Sequence, residues 1–413
     1  MKLLFNICSH DGIISHYNGV GSMTRRYIEC ITSLKGHDVS LNLFTPLYLE
    51  SSFGYNNSVK KTHESLCANI YTISNGSSGS INYGGIDCWK ELSRNTANVI
   101  NNLDISEYDL VITICNDTPY AGVVGLIDSC KKHKVIWIPH STVKIHEVDS
   151  AIIDSHLFYD VRLHWEQSCI DYVNSHDNCY IGTIGKFITK HLVTEYSLDF
   201  NKTIDIYNGE LIGHVNTSFS KSCETLIKDF ENEPVIILSF GRAEPYKNLE
   251  ATMKLGNEMN IRTIVIAQSY YKEQEILNEY KKLATEMGTD LYIDAPFDFG
   301  KYILNNYQGK IIMVIPSLKE IMGLIINEVR ILNKSSILVV ANNIPGINEQ
   351  IEDEVDGVLV DLNDITNSSN KIKKMLKDDI SILNKNGYMR VCRDYNIKHN
   401  MNMFLERLGV INE

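Results

Sequence analysis

Short apolar runs alternate along this chain with longer segments in which apolar residues recur at helical spacing. Several of these runs have the length and the near-continuous apolar character of strands buried in a parallel sheet. They cover residues 2–8, 109–114, 135–138, 235–240, 291–293, 311–315 and 337–341. Because strands that alternate with helices are typical of the α/β class, we predict an α/β protein with parallel sheets.

The first run opens a βαβ unit. A loop with Gly19 and Gly21 follows it, a helix is predicted up to about residue 34, and a second strand begins near Asp38. The glycines lack the third member of a Gly-x-Gly-x-x-Gly pattern, so the loop fails as a dinucleotide-binding fingerprint. Either the loop lets a ligand approach the backbone, or it is only a tight turn.

Composition indicates a globular chain long enough for two domains, with 413 residues of which 44% are hydrophobic and 22% charged. No apolar run approaches the roughly 18 residues of a membrane span, and the first residues lack the apolar core of a signal peptide. Ten cysteines occur without a Cys-x-x-Cys pair, which favours reduced thiols over disulfides or a zinc site. We therefore expect a cytoplasmic protein.

The net charge of −12 argues against nucleic acid and bulk anionic membrane as partners, because both would reward a basic surface. Lys131, Lys132 and Lys134 form a local basic group. This group leaves peripheral contact with a membrane headgroup open, although three such lysines are also typical of a plain solvated surface.

Two carboxylates flank a predicted helix start after the run at 311–315. Pro316 ends the strand, a helix is predicted from about Gly323, and Glu328 lies about 7 Å further along its axis. Glu320 lies in the loop before the helix. A helix N-terminus favours a phosphate, and carboxylates on either side accept hydrogen bonds from hydroxyls, so the segment suits a sugar nucleotide. The alternative is a pair of ordinary solvated charges.

The same helix should have one apolar side that faces the core. Leu324, Ile325, Val329 and Leu332 recur at helical spacing and are the predicted core positions.

A second candidate group follows the strand at 235–240, where Gly241 and Arg242 precede Lys247. In open α/β sheets ligands bind at the carboxyl ends of strands, and cations there suit a diphosphate leaving group. Surface cations in a polar loop are the alternative.

A histidine stands at the end of the strand at 135–138. His140 precedes Ser141 and Thr142, and it is the candidate catalytic residue of the N-terminal half, with a structural histidine as the alternative. His10, His16 and His146 also lie in predicted loops, and their order of importance stays open.

Residues 316–328 resemble the Pro-Ser-x-x-Glu-x-Phe-Gly-Leu-x-x-x-Glu signature of retaining GT-B glycosyltransferases, in particular glycosyltransferase family 4 (glycosyl transferases group 1). Residues 241–248 resemble the Gly-Arg-x-x-x-x-Lys-Asn element of that family, and 345–349 and 356–360 continue the pattern in order. Met322 departs from it, since Phe is usual there, and so do residues 333–336.

The resemblance implies a GT-B fold, in which two Rossmann-like domains with parallel sheets face each other across a cleft. Residues 1–205 would form the acceptor domain and 206–384 the nucleotide-sugar donor domain. A C-terminal helix at about 385–413 would cross back to the N-terminal domain.

The resemblance also implies the activity, a retaining hexosyltransferase-type transfer from a nucleoside diphosphate sugar to an acceptor hydroxyl. UDP is the expected nucleotide because it is frequent in the family, and the acceptor stays unknown. The sequence has no Asp-x-Asp, so no metal or other cofactor is expected. A non-catalytic sugar-nucleotide-binding protein and a GT-B epimerase or phosphorylase are the alternatives.

The family assigns roles to the candidate residues. Arg242, Lys247, Gly241 and the backbone of Met322, Gly323 and Leu324 would bind the donor diphosphate. Glu320 would hold donor-sugar hydroxyls, Glu328 the ribose, and His140 the sugar near its reacting carbon. The loop with Gly19 and Gly21 would approach the donor diphosphate and the acceptor, and residues 294–297 would lie near the base.

Overall fold

The computed structural model describes residues 1–52, 54–66, 68–77, 85–128, 130–145, 155–213, 219–269, 274–296 and 298–411. Two compact units make up the chain. The N-terminal unit comprises Met1–Leu211 together with Ile397–Glu413, and the C-terminal unit comprises Ile212–Asn396. Each unit is a parallel sheet with helices, as the alternation of apolar runs predicts.

The N-terminal unit contains a seven-stranded sheet of order β3-β2-β1-β4-β5-β6-β7. Its strands are β1 (Lys2–Ser9), β2 (Asp38–Pro46), β3 (Asn69–Ile73), β4 (Leu110–Asn116), β5 (His133–Ile138), β6 (Cys179–Thr183) and β7 (Thr203–Asp205). The helices that connect them are α1 (Gly19–Thr32), α2 (Asn57–Ser65), α3 (Ile86–Asn101), α4 (Ser155–Ser175) and α5 (Lys186–Tyr196).

The centre of this sheet is apolar on both faces. Every residue of β4 is buried, and Leu3, Phe5 and Ile7 of β1 are fully inaccessible to solvent. Burying each such side chain stabilises the fold by about 1.5–3 kcal/mol. The strand order reverses direction between β1 and β4, and a crevice at the carboxyl ends of the strands forms at such a switch point.

The C-terminal unit contains a six-stranded sheet of order β10-β9-β8-β11-β12-β13. Its strands are β8 (Val235–Arg242), β9 (Thr263–Gln268), β10 (Asp290–Ile293), β11 (Lys310–Ile315), β12 (Ile337–Asn342) and β13 (Val358–Val360). The helices are α6 (Lys221–Leu226), α7 (Leu249–Met259), α8 (Gln274–Met287), α9 (Phe299–Asn306), α10 (Leu324–Arg330), α11 (Ile365–Met375) and α12 (Ile380–Asp394). Here the switch point lies between β8 and β11, the two strands that precede the predicted donor loops.

Helix α10 begins after Gly323, as predicted, and Val329 is buried as predicted, but the buried side includes residues that were not predicted. Ile326 and Val329 are the apolar residues it buries, and Asn327 and Arg330 are buried with them. Leu324 is only half-buried. Ile325 and Leu332 are partly buried and pack against the core. The buried side is thus wider than the apolar pattern alone predicts, because the buried Asp356 binds the guanidinium of Arg330.

The single closing helix expected from the sequence is two helices. Helix α12 ends at Asp394 in the C-terminal unit, and α13 (Ile397–Arg407) belongs to the N-terminal unit. The chain turns between them, where the amide of Ile397 donates to the carbonyl of Glu210 at 3.0 Å. The last helix thus returns to the N-terminal unit, where Asn400 donates to the carbonyl of Tyr207.

Within the described ranges, no helix combines the length and apolar character needed to cross a bilayer. The cysteines that the structure describes are free thiols, most of them buried.

Candidate functional site

The loops that follow β8 and β11 meet at the switch point of the C-terminal sheet. The ammonium of Lys247 pairs with the carboxylate of Glu320, and Ser317 donates to the same carboxylate oxygen at 3.0 Å. Leu318 donates its amide to the carbonyl of Tyr246 at 2.7 Å. Two residues that were predicted to share a site are therefore in direct contact, although they lie far apart in the sequence.

Arg242 extends from the end of β8 beside the same loop. Its guanidinium lies 2.9 Å from Glu244, hydrogen bonds to the hydroxyl of Tyr246 and lies over that ring at 5.7 Å. Lys247 lies on the same ring at 5.2 Å. Burial raises the pKa of Tyr246, so its hydroxyl stays protonated. Tyr246 thus contacts both cations and holds them close together. The sequence pattern gave no sign of this role, because Tyr246 looks like any tyrosine in a loop.

Gly241 precedes Arg242 and borders open space. A Cβ built at this position meets no other atom of the described residues within 4 Å, apart from its chain neighbours. The space beside the strand end is therefore available to a ligand.

The peptide of Gly323 has a protein partner in this structure. Its amide donates to Oε1 of Gln350 at 2.8 Å, and its carbonyl accepts from Nε2 of the same side chain at 3.2 Å. The Gly323 amide, expected to face a phosphate, is engaged by Gln350. The amides of Met322 and Leu324 remain the candidates from that prediction, with Leu324 in the first helical turn, where intrahelical acceptors are lacking.

Glu328 lies on α10 opposite a cation of α9. Its Oε2 is 3.2 Å from Nζ of Lys301, and the Glu328 side chain is 17% exposed against 42% for Lys301. The carboxylate is thus partly sheltered but reachable. Lys301 lies in none of the family motifs, so only its position in α9, five residues before the end of that helix, could have indicated a role.

Helix α10 is anchored at its far end by a buried ion pair. Arg330 donates to the carboxylate and to the carbonyl of Asp356, each at 2.7 Å. The same carboxylate also accepts from Arg390 of α12. Both residues of the Arg330–Asp356 pair are at most 4% exposed. Burial lowers the pKa of Arg330, and Asp356 opposes that shift. The hydrogen bonds of the pair hold the end of the helix that carries Glu328.

The predicted base-binding neighbourhood lies at the end of β10. Asp294 has a φ of 52° and accepts from the amide and hydroxyl of Ser269, each at 2.7 Å. Gln268 donates to the carbonyl of Ala295 at 2.9 Å. Phe297, the last residue of that prediction, lies outside the described residues.

His140 of the N-terminal unit follows β5 at the carboxyl edge of its sheet. Its Nε2 lies 2.8 Å from Oδ1 of Asn116, whose amide group donates to Thr24. This network assigns the proton to Nε2 and leaves Nδ1 as an acceptor. Burial lowers the pKa of His140 to about 4, against an opposing effect of Asp117. The imidazole is therefore neutral at pH 7, suited to hydrogen bonding with a hydroxyl.

Asp117 lies beside two of the histidines and was not predicted. It has a φ of 73°, unfavourable for a residue with a side chain, and its Oδ2 lies 3.7 Å from Nδ1 of the buried His10. His16 instead contacts Arg25 at 2.6 Å, and His146 lies outside the described residues. The strands β1, β4 and β5 are neighbours, so the sheet itself brings His10, Asp117 and His140 to one edge.

The glycine loop is built around a buried carboxylate. Asp11 accepts from the amides of Tyr17 and Asn18 at 3.1 and 2.9 Å, and a Cβ at Gly21 would lie 2.2 Å from its Oδ2. Gly21 therefore has a packing reason to be glycine. Gly19, the first residue of α1, is exposed.

Across the described ranges, no three His, Cys, Asp or Glu side chains come together as a metal-binding group.

Comparison with known proteins identifies the C-terminal part of the chain. Residues 226–390 match the model of the family described as glycosyl transferases group 1, which confirms the predicted resemblance. No curated protein sequence matches.

Solved structures similar to this chain agree over nearly the whole length. HepE of Anabaena in complex with UDP-glucose is 15% identical, with 100% of both chains covered and a TM-score of 0.69. Sucrose-phosphate synthase of Thermosynechococcus elongatus is 16% identical, with 99% of both chains covered and a TM-score of 0.74. The α,α-trehalose-phosphate synthase (UDP-forming) of Burkholderia vietnamiensis is 10% identical, covers 99% of this chain and 100% of its own, and has a TM-score of 0.67. At these identities the likeness concerns the fold, and it confirms the predicted GT-B class.

Proposed function

We propose, from the match of residues 226–390 to the model of the glycosyl transferases group 1 family, that the chain transfers a glycosyl unit from a nucleoside diphosphate sugar to an acceptor hydroxyl. The observation that carries this proposal is the pairing of Lys247 with Glu320 beside Arg242 at the switch point of the C-terminal sheet. Ligands of open α/β sheets bind at such points. Cations and a carboxylate together match a ligand with a diphosphate and hydroxyls.

The proposed donor is a UDP-sugar with a hexosyl unit. HepE was solved with UDP-glucose, and the trehalose-phosphate synthase is described as UDP-forming. These ligands and activities are those of the two similar proteins. Together with the family match, they make UDP-hexoses the first donors to test.

Arg242 and Lys247 would stabilise the charge that develops on the leaving diphosphate. Lys247 is paired with Glu320 before the ligand arrives, so the two charges neutralise each other. A diphosphate would draw Lys247 away, and donor-sugar hydroxyls would then donate to Glu320. Glu328 would accept from ribose hydroxyls, and neutral His140 would hydrogen bond to the sugar.

Retention of the anomeric configuration is part of the proposal. The incoming hydroxyl would attack on the face that the diphosphate leaves, its oxygen would bond to the anomeric carbon as the bond to the phosphate oxygen breaks, and its proton would pass to that oxygen. No carboxylate nucleophile and no metal ion is needed in this scheme, because two cations already balance the leaving group.

The described cysteines are free thiols, which supports a reducing compartment such as the cytoplasm as the place of the reaction.

The test is release of nucleoside diphosphate from a panel of nucleotide sugars, with and without candidate acceptors and with and without EDTA. Release that depends on an acceptor and persists in EDTA supports a metal-independent transferase, and the product's anomeric configuration, read by NMR, tests retention. Binding without turnover for every acceptor supports the non-catalytic alternative. Release to water or phosphate supports an epimerase or phosphorylase. Unchanged turnover in Arg242→Ala would refute the diphosphate site.

A further inference from the structure

The side chain of Gln350 pairs with the backbone of one residue, Gly323. One side-chain amide accepts from the Gly323 amide at 2.8 Å and donates to the Gly323 carbonyl at 3.2 Å. Gln350 is 1% exposed. Both hydrogen bonds are therefore shielded from water, and water cannot readily replace either of them.

The backbone before Gln350 packs against the loop 320–323, which contains Gly323. Gly346 has a φ of 85°, and a Cβ there would lie 2.3 Å from the carbonyl oxygen of Glu320 and 2.5 Å from that of Ile321. The segment 346–350 thus approaches the loop 320–323 closely at both ends. Glycine at 346 is required by this approach as well as by its backbone conformation.

The main chain of Gln350 is connected to the far end of α10. Its carbonyl accepts from Arg330, which also binds the buried Asp356. Residue 350 therefore holds the start of α10 through its side chain and the end of α10 through its backbone. Glu320 lies just before this helix and Glu328 lies within it.

Gly323 needs such a partner because glycine has the least restricted backbone of all residues. Without Gln350, a side chain of similar size could fill the space but could not fix the direction of the Gly323 amide. The Gly323 backbone would then lose the two hydrogen bonds that set its direction.

We propose that Gln350 is a positioning residue for the diphosphate of the donor. It engages the Gly323 peptide permanently, so that the neighbouring backbone and Glu320 keep the orientation in which they receive the ligand. This inference rests on the proposed function, because it assumes that a nucleoside diphosphate binds at the loop.

The test compares Gln350→Met, which keeps the volume and removes both hydrogen bonds, with Thr252→Val. Thr252 is a fully buried polar residue of α7 in the same unit. UDP, ADP and GDP are titrated by calorimetry, and the nucleoside of the one that binds is measured by ligand-observed NMR. We expect Gln350→Met to bind the diphosphate about tenfold more weakly, a change of about 1.4 kcal/mol, with nucleoside binding unchanged. Thr252→Val should change neither.

Equal diphosphate affinity in Gln350→Met and the wild type would overturn the inference and leave the proposed function standing. A parallel loss of diphosphate and nucleoside binding would also overturn it, because general loosening of the unit affects both. A wild-type protein that binds none of the three diphosphates would refute the proposed function, and the inference with it.

Hydrogen exchange tests the inference on the wild-type protein, so this test does not depend on whether a variant folds. Hydrogen exchange of the Gly323 amide should be slow without ligand and stay slow with the diphosphate bound. Fast exchange that becomes slow only when the ligand binds would mean that the phosphate, not Gln350, is its partner, and the inference would fail.

Discussion

Lys301 on α9 lies 3.2 Å from Glu328 on α10, so the carboxylate proposed to bind the ribose already faces a cation. Because Lys301 is 42% exposed, this ion pair should contribute only about 0–1 kcal/mol. A ribose hydroxyl bonded to a charged carboxylate is worth more, about 1.5–3 kcal/mol. The two residues should therefore differ in their effect on donor binding.

We predict that Glu328→Ala raises the donor KM by about tenfold or more, whereas Lys301→Met changes it by less than about fivefold. Initial rates over a range of donor concentrations give both values. Equal effects of the two changes would mean that the ion pair itself, and not a ribose contact, is what Glu328 provides.

Lys247 should act on the rate of transfer. Lys247→Ala removes one of two cations near the leaving diphosphate, and kcat should fall by about 10²–10³. The matched control is Lys254→Ala on α7, whose partner Glu250 lies 3.1 Å away on the surface, and whose loss should leave kcat unchanged. A similar kcat for both variants would show that Lys247 serves only to pair with Glu320.

Strands such as β4 and β11 could be predicted because burial on both faces leaves a continuous apolar run, whereas β3, β6 and β9 were not among the predicted runs. The motif residues Arg242, Lys247 and Glu320 could be recognised because each lies in a short motif whose residues are close together in the sequence. Gln350 and Asp11 could not, because their functions in the structure come from contacts with Gly323 and Gly21 that only the folded chain creates.

The helix boundary near residue 395 shows the same limit. Residues 380–408 have one continuous helical pattern, and the break between α12 and α13 coincides with hydrogen bonds that hold α13 to Glu210 and Tyr207 within the N-terminal unit. Tertiary contacts of this kind override local propensity.

The stability of the protein should depend on pH through His133. This histidine is 4% exposed on β5, and burial lowers its pKa to about 4 from an unfolded value of about 6.5. Below about pH 6.5 the unfolded state binds a proton that the folded state excludes, so the free energy of unfolding falls as the pH falls. The slope from this residue is at most about 1.4 kcal/mol per pH unit between these two values.

We expect His133→Gln to remove that contribution and flatten the dependence. Urea denaturation at several pH values between about 5 and 7 measures the slope directly. The pKa of His140 is lowered in the same direction, so the variant should retain part of the slope, and His133→Gln with His140→Gln should flatten it further. An unchanged slope in the single variant would contradict the assignment.

Substitutions at Gly19 and Gly21 should distinguish the packing role of the glycine loop from a role in letting a ligand approach the backbone. A methyl group at Gly21 would overlap Asp11, the carboxylate that organises the loop before α1, so Gly21→Ala should lower the free energy of unfolding by about 1–3 kcal/mol. Gly19 is exposed at the first position of the helix, and Gly19→Ala should change stability by less than about 0.5 kcal/mol. Thermal melting and urea denaturation measure both.

If Gly19→Ala nevertheless lowers kcat/KM while its stability is that of the wild type, the loop approaches a substrate at Gly19. If both variants keep wild-type kcat/KM, the glycines of this loop serve the fold alone.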